Sequence, residues 1–251
     1  MKENTPHPSA LRLPPSPEGE GKKDWRFYMK RTKLADRQLP DYTRGEEIFN
    51  MVSHIVGGAF GVISLGLCTG FSIYHKNWWG LAGGIIYSLM MIYLYTISSV
   101  YHGLKPEGAK KVMQVLDHCT IFALIFGSYM PLMLTGIREY YPVVFWITLG
   151  ILVAATAVCV TFTAIDFKQY AVIANIGYFG IGWTALILLY PMYKIYGLEI
   201  VIWTFCGGLA YTLGIIFFAL QKKHKYMHSI FHLFILLGTA LQFVAIFKFC
   251  I

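Results

Sequence analysis

Seven long apolar stretches, separated by short polar connections, dominate the pattern of the chain from residue 48 onwards. Each stretch reaches the ~20 apolar residues that an α-helix needs to cross a bilayer. The short alternating segments that build a membrane β-barrel are absent from the sequence. The pattern therefore predicts an all-α, polytopic membrane protein built as a seven-transmembrane helix bundle. The predicted spans are Ile48–Tyr74, Trp79–Tyr101, Asp117–Gly136, Val143–Phe162, Tyr170–Tyr190, Ile200–Leu220 and His228–Phe249.

Composition supports a membrane domain and sets the first part of the chain apart from it. Hydrophobic residues make up 56% of the 251 residues and charged residues only 14%, whereas charge in soluble domains runs near ~25%. Five of the ten prolines lie before residue 20, and a basic stretch follows up to Arg44. We therefore predict a disordered, basic juxtamembrane tail at residues 1–45 and a membrane domain at residues 46–251. The tail lacks the features of a signal peptide, and we expect it to bind anionic lipid headgroups, with possible anchors at Trp25, Phe27 and Tyr28.

The basic residues are distributed unevenly between the two sides of the predicted membrane domain. When the tail and alternate connections are assigned to one side, 17 of the 21 Lys and Arg residues fall there. Such an excess is typical of cytoplasmic connections. The pattern predicts a cytosolic N-terminus and an outside C-terminus. It also explains the net charge of +8 without a nucleic-acid partner. The four basic residues on the other side are Lys76, Arg138, Lys194 and Lys248.

Polar side chains gather near the cytosolic ends of four predicted helices, whereas the outer half is nearly free of ionisable groups. Ionisable residues inside membrane helices are energetically costly, and they usually face an interior cavity and mark function. We therefore expect the functional site on the cytosolic side. The members of this group are Glu47, Asn50, Ser53, His54, Ser98, His102, Asp117, His118, His228 and His232.

Three histidines of this group form a candidate metal site. His228 and His232 are four residues apart, so one helix presents both on the same face. His102 ends a different helix at the same depth. Three imidazoles leave one position open on a tetrahedral zinc, which is typical of a catalytic site rather than a closed structural one. Zinc is inferred, because imidazole also suits iron, copper and nickel.

Each of these residues also has a simpler interpretation. A histidine near a helix end is often an interfacial polar residue, and for His54 and His118 both interpretations stay open. Asp117 at the start of the third span could cap that helix. Ser98 could bond to the backbone of its own helix, although its position four residues before His102 also places a hydroxyl near a metal.

The order of these motifs along the chain resembles that of a known family. The motifs lie on the first, second, third, fifth and seventh predicted helices. They are E-x-x-N-x-x-S-H at Glu47–His54, S-x-x-x-H at Ser98–His102, D-H at Asp117–His118, G-S-Y-M-P at Gly127–Pro131, G-Y-F-G-I-G-W at Gly177–Trp183 and H-x-x-x-H at His228–His232. Over about residues 42–251 the chain resembles the hemolysin III family, the bacterial branch of the progestin and adipoQ receptor superfamily.

The resemblance implies a zinc ion bound by His102, His228 and His232. It further implies a water held by Asp117 with Ser98 close by, a lipid-accessible cavity between the helices, and a location in the bacterial cytoplasmic (plasma) membrane. Around this site we expect a carboxylate or hydrogen-bonding groups that orient a ligand histidine, and one more acid–base candidate. The residues expected for these supporting roles are Glu47, Asn50, Ser53 and His54.

Three functions are compatible with this pattern. The leading hypothesis is a zinc-dependent, ceramidase-like hydrolase of a lipid amide or ester, with Asp117 and Ser98 as catalytic residues and a role in membrane-lipid homeostasis. The second is a non-enzymatic membrane sensor or regulator in which zinc only joins the second and seventh helices. The third, a pore-forming cytolysin, is suggested by the family name and is the least favoured, because the helices are typical of an integral bundle.

Overall fold

The computed structural model describes residues 31–251, and seven helices in this range are long and apolar enough to cross a membrane. Residues 32–251 form one compact unit. The predicted all-α seven-helix bundle is confirmed, whereas the predicted disorder before residue 20 and the anchors Trp25, Phe27 and Tyr28 lie outside the described residues. The helices are α1 Arg44–Tyr74, α2 Trp78–Gly103, α3 Glu107–Tyr140, α4 Pro142–Asp166, α5 Ala171–Tyr196, α6 Leu198–Leu220 and α7 Met227–Cys250.

Several helices are longer than the apolar stretches that predicted them, because their terminal turns contain charged residues that lie outside an apolar stretch. At the start of α1, Thr43 and Glu46 form a capping box. The Glu46 carboxylate accepts the Thr43 N–H at 2.9 Å, and the Thr43 hydroxyl accepts the Glu46 N–H at 3.3 Å. Helix α3 begins at Glu107, so the predicted start at Asp117 is wrong. The first turns of α3 are polar, and an apolar run alone does not reveal them.

Sequential helices pack side by side, and α7 closes the bundle against α1. Helices α1 and α2 approach closely at Gly61, where an added Cβ would lie 3.2 Å from the backbone nitrogen of Ile92. Helices α2 and α3 do so at Gly83, where an added Cβ would lie 2.6 Å from the Cα of Pro131. Because neighbours in sequence run antiparallel, the starts of α1, α3, α5 and α7 and the ends of α2, α4 and α6 share one face. We call this the N-terminal face.

Two helices are interrupted in the half of the bundle away from the N-terminal face. Helix α3 contains a π-helical turn at Met133–Ile137, and α5 contains a 3-10 turn at Thr184–Leu188. Non-helical backbone at membrane depth is tolerated where its polar groups find partners inside the protein. The hydroxyl of Tyr129 on α3 donates to two carbonyls of α5, those of Ile181 and Gly182, at 2.8 and 2.6 Å. This contact ties the interrupted part of α5 to α3.

The segment before α1, residues 32–43, packs against the N-terminal face. The N–H of Thr32 donates to the Asp166 carboxylate at 2.9 Å, and the Arg37 guanidinium donates to the carbonyl of Ile165 at 2.7 Å. Arg37 is buried despite its charge. The described part of the basic stretch therefore contacts the end of α4, and its binding to anionic headgroups stays a prediction.

Candidate metal centre

The three histidines that the sequence singles out lie together at the N-terminal face. His102 is in the last turn of α2, and His228 and His232 are in the first turns of α7. Each offers a ring nitrogen, and these atoms all lie within 4.8 Å of one another. The Nε2 atoms of His228 and His232 are 3.0 Å apart. The three residues are 3%, 6% and 1% exposed, so the cluster is a buried group of potential ligands.

The arrangement of ring nitrogens fits a metal ion. The Nδ1 atom of His102 lies 2.6 Å from Oε2 of Glu47, and a proton on Nδ1 would satisfy this contact and leave Nε2 with a free lone pair. That Nε2 atom is buried and has no hydrogen-bond partner among residues 31–251. A buried polar atom without a partner costs about 1–3 kcal/mol. A cation bound by Nε2 would remove this cost, and a set of three imidazoles is suited to zinc.

A lysine and a glutamate contact one another beside His102, outside the cluster. Oε1 of Glu47 accepts a hydrogen bond from Nζ of Lys110 at 2.7 Å. Nζ of Lys110 also donates to the carbonyl of Leu104 at 3.3 Å. A carboxylate that accepts the second N–H of a ligand histidine fixes the orientation of the ring and raises its basicity. Glu47 is therefore placed to orient His102, and Lys110 to hold Glu47.

Replacing Glu47 with glutamine is expected to weaken zinc binding by about 10–100-fold, the usual effect of removing such a supporting carboxylate. The amide keeps the shape of the side chain but loses the charge that stabilises the Nδ1–H of His102. The measurement is competition for zinc with a chromogenic chelator. Glu107→Gln is the matched control, because Glu107 is exposed at the start of α3 and pairs with Lys111 rather than with a histidine. Equal zinc affinity in wild type and Glu47→Gln would show that Glu47 only pairs with Lys110.

Asp117 and Ser98 face an internal cavity beside the histidines. Asp117 lies inside α3, well after the helix start at Glu107, so the interpretation as a helix cap is wrong. Both residues line the cavity together with His228 and His232. The hydroxyl of Ser98 is buried close to the Asp117 carboxyl group, and it makes no hydrogen bond of good geometry among the described residues. A carboxylate and a free hydroxyl therefore stand next to the candidate metal ligands.

The other predicted supporting residues make different contacts. The side-chain oxygen of Asn50 accepts from the hydroxyl of Ser229 at 2.7 Å, and so links α1 to α7 next to His228. The hydroxyl of Ser53 donates to the carbonyl of Asn50 at 2.9 Å, within its own helix. The ring of His54 stacks on His232 with centroids 3.7 Å apart, and neither of its nitrogens has a partner among the described residues. Of the four predicted supporting residues in the described chain, Glu47 is the one whose side chain hydrogen-bonds a histidine of the cluster.

Tyr42, which the sequence did not single out, covers the cluster from the N-terminal face. Its ring stacks on His228 with centroids 5.0 Å apart and lies 5.8 Å from the ring of His102. Its hydroxyl donates to Oε1 of Gln221 at 2.7 Å. Burial raises the pKa of Tyr42 well above its ordinary value, so the hydroxyl stays protonated as a donor. No motif spacing marks Tyr42, because its role depends on three residues that are distant in sequence.

His118 also borders the cavity. Its Nδ1 atom lies 2.7 Å from the carbonyl of Gln114, one turn earlier in α3. The carbonyl accepts a hydrogen bond, so this contact places the ring proton on Nδ1. The ring is thereby oriented by its own helix, and His118 is a polar group at the cavity wall rather than a member of the three-histidine cluster.

The cavity has a volume of about 160 Å³ and is enclosed mainly by apolar side chains. It begins at the histidines and reaches Gln242, which is 14 residues after His228 on α7, or roughly 21 Å along a helix. Its far wall includes Trp183 on α5 and Phe205 on α6. An elongated apolar cavity that ends in a polar, histidine-lined site is suited to a lipid chain with a polar group at one end.

These features define an integral, multi-pass membrane protein with a three-histidine cluster and a carboxylate at the end of an apolar cavity. Residues 42–243 match the model of the family described as haemolysin-III related. The chain belongs to this family, within the progestin and adipoQ receptor superfamily, as the motif order implied. The predicted integral location in the plasma membrane agrees with the helices and with this family.

Sequence similarity to individual proteins agrees with this family. A protein named Hemolysin-3 homolog from Bacillus subtilis (strain 168) is 26% identical over 211 residues, which cover 84% of this chain and 97% of the relative. A protein named Hemolysin-3 from Bacillus cereus is 27% identical over 208 residues, covering 80% and 90%. The human protein named monocyte to macrophage differentiation factor is 26% identical over 191 residues, covering 72% and 76%. The similarity therefore extends along most of the chain.

Proposed function

We propose that this protein is a zinc-dependent hydrolase of a membrane-lipid amide or ester, with His102, His228 and His232 as metal ligands. The observation that carries the proposal is that two members of the histidine cluster, His228 and His232, line one apolar cavity inside the bundle together with Asp117 and Ser98. A structural metal site has no need of a cavity or of an adjacent carboxylate. A cavity of this kind supports an elongated apolar substrate over a soluble one.

The side chains of the site suggest how the reaction is divided among them. A zinc ion held by the three histidines would make a water acidic enough to ionise near neutral pH and would polarise a carbonyl group. Asp117 would orient the attacking water, accept its proton, and pass that proton to the departing amine or alcohol as the amide or ester bond breaks, because a carboxylate beside the reacting atoms is suited to general acid–base catalysis. The hydroxyl of Ser98, which lacks a partner in the described chain, would donate to the carbonyl oxygen of the lipid as negative charge develops there.

The protein also shields the site from water on the N-terminal face. Tyr42 covers the rings of His228 and His102, and its hydrogen bond to Gln221 holds it in place. Exclusion of water strengthens every electrostatic interaction in the site. A substrate would therefore reach the histidines from the apolar cavity, as expected for a lipid that is already in the membrane.

The test is hydrolysis by the purified, untagged protein in lipid nanodiscs. Fluorescent ceramides and ester phospholipids are offered, and released fatty acid is measured by mass spectrometry. We expect release that stops when zinc is removed by a chelator and returns when zinc is added back. If the zinc-loaded protein releases no more fatty acid than the chelated protein from any of these lipids, the hydrolase proposal fails.

A non-enzymatic regulator is the second candidate, and the position of the ligands favours it. His102 is on α2, whereas His228 and His232 are on α7, so a metal would join two helices that are far apart in sequence. In such a protein the metal stabilises the bundle, so zinc removal lowers the melting temperature, and no lipid is hydrolysed with or without zinc. The pore-forming role that the name hemolysin suggests for the Bacillus relatives finds less support, because the polar cluster of the described helices occupies only one end of the bundle.

A further inference from the structure

A second concavity lies on the lipid-facing surface of the bundle, between α1 and α7. Its volume is about 490 Å³. The hydroxyl of Ser53 within it is already bonded to the carbonyl of Asn50, so the surface offered is apolar. We call it the α1–α7 groove, and it is lined by Gly45, Ile48, Phe49, Val52, Ser53, Val56, Leu233 and Leu236.

The length of the α1–α7 groove is close to the hydrocarbon thickness of one leaflet of a bilayer. From Gly45 to Val56 the groove follows α1 for 11 residues, or roughly 16 Å. The hydrocarbon core of a bilayer is about 30 Å thick, so one leaflet contributes about half of that. The groove ends where α1 and α7 meet at Gly57, where an added Cβ would lie 2.8 Å from the side chain of Leu236. The α1–α7 groove is therefore about as long as an acyl chain of one leaflet.

The mouth of the α1–α7 groove is built by the connection between α6 and α7. Tyr226 in this connection has a φ angle of 62°, a left-handed conformation that is unfavourable for a residue other than glycine. Glu46 stabilises it by accepting the Tyr226 N–H at 2.6 Å. The Tyr226 hydroxyl lies 2.8 Å from the position of a Cβ at Gly45, and it makes no hydrogen bond within residues 31–251. A free donor is thus held at the mouth of an apolar groove.

The same corner of the protein carries an excess of positive charge. Arg44 precedes Gly45, and Lys222, Lys223 and Lys225 lie in the connection that ends at Tyr226. None of the four forms an ion pair in the described part of the chain. The nearby Glu46 accepts hydrogen bonds from Thr43 and Tyr226 and interacts electrostatically with Lys225, so this one carboxylate stands against four cations. An apolar groove with unpaired cations and a hydroxyl at its mouth is complementary to a phosphate group on an acyl chain.

We propose that the α1–α7 groove binds one anionic phospholipid. An acyl chain lies along Ile48, Val52 and Val56, and the phosphate contacts Arg44, Lys225 and the hydroxyl of Tyr226. The same two helices hold Glu47, His228 and His232 on the inside of the bundle. The bound lipid is therefore separate from any substrate in the cavity, and the proposal does not depend on hydrolase activity.

Native mass spectrometry of the full chain tests the headgroup contacts, with phosphatidylcholine alone or with added phosphatidylglycerol. We expect one retained phosphatidylglycerol per chain and no comparable retention of phosphatidylcholine. Arg44→Ala with Lys225→Ala should weaken retention about 30-fold, from the usual contribution of two cations near a lipid surface. Lys105→Ala with Lys168→Ala changes the charge equally in other connections of the same face and should leave retention unchanged. Equal weakening in both double variants would overturn the proposal.

A second variant tests the acyl-chain contacts without changing charge. Val52→Trp places a large side chain in the α1–α7 groove and should prevent retention of phosphatidylglycerol, because the indole occupies the space of the chain. Val143→Trp is the control, since Val143 is also exposed on the lipid-facing surface but lies at the start of α4. Circular dichroism and melting temperature establish that both variants fold. Normal lipid retention in folded Val52→Trp would show that the groove is not the binding site.

Discussion

Replacing His228 with alanine is expected to reduce bound zinc from about one ion per chain to a small fraction of that. A site with three protein ligands that loses one keeps only two imidazoles, which is fewer than the three or four ligands of known protein zinc sites. The remaining ligands also lose their arrangement, because Tyr42 stacks on the ring of His228. The measurement is metal content by mass spectrometry, on protein prepared without a polyhistidine tag.

The matched control for this measurement is His224→Ala. His224 is exposed in the connection before α7, four residues ahead of His228, and it lies outside the cluster. Its replacement should leave the zinc content unchanged. If removal of any histidine reduced metal binding, the zinc content of both variants would fall alike. Wild-type protein without zinc, after preparation in zinc-containing buffer, would contradict the metal site itself. Both the hydrolase and the structural-zinc proposals would then fail.

Replacing Asp117 with asparagine is expected to lower lipid turnover by about 100-fold or more while zinc stays bound. General base catalysis contributes about 10²–10⁴ to a rate, and the amide keeps the shape of the carboxylate but is not a base. Asp117 lines the cavity next to His228 and His232, so its loss acts at the reacting group and not on the fold. The measurement is the rate of fatty-acid release in nanodiscs, together with zinc content of the same samples.

Asp36→Asn is the control for the change of an aspartate into an asparagine. Asp36 is exposed in a short 3-10 turn of the segment before α1. Its replacement should leave turnover unchanged. Full turnover in Asp117→Asn would show that Asp117 is not the base. Loss of zinc in that variant would instead assign Asp117 as a metal ligand.

Much of the candidate site could be predicted because its residues lie on regular elements with known spacing. The i, i+4 spacing of His228 and His232 places both on one helix face wherever that helix lies. The antiparallel order of the helices brings the end of α2 to the start of α7, which adds His102. The error at the start of α3 has a physical cause as well. Its first turns lie beyond the apolar run, and hydropathy does not detect a polar helical turn.

The contacts that depend on segments far apart in sequence could not be predicted in this way. Tyr42 reaches Gln221 and His228 from a stretch that hydropathy treats as a tail. Lysine is usually found at the protein surface, yet Lys110 hydrogen-bonds Glu47, which in turn contacts Nδ1 of His102. Such contacts are set by side-chain directions and by the relative position of helices, and neither follows from periodicity.

The amino-acid sequence by itself determined the seven helices, the gathering of polar residues at one face and the identity of the three histidines. The helices follow from the sequence because the backbone N–H and C=O groups of an apolar segment in a membrane must find hydrogen-bond partners within that segment, and an α-helix provides them. Only the tertiary structure decided which groups surround the histidines, where Asp117 and Ser98 face, and where a cavity and a groove remain. These features depend on how closely helix pairs approach, and that distance is set by packing between residues that are remote in sequence.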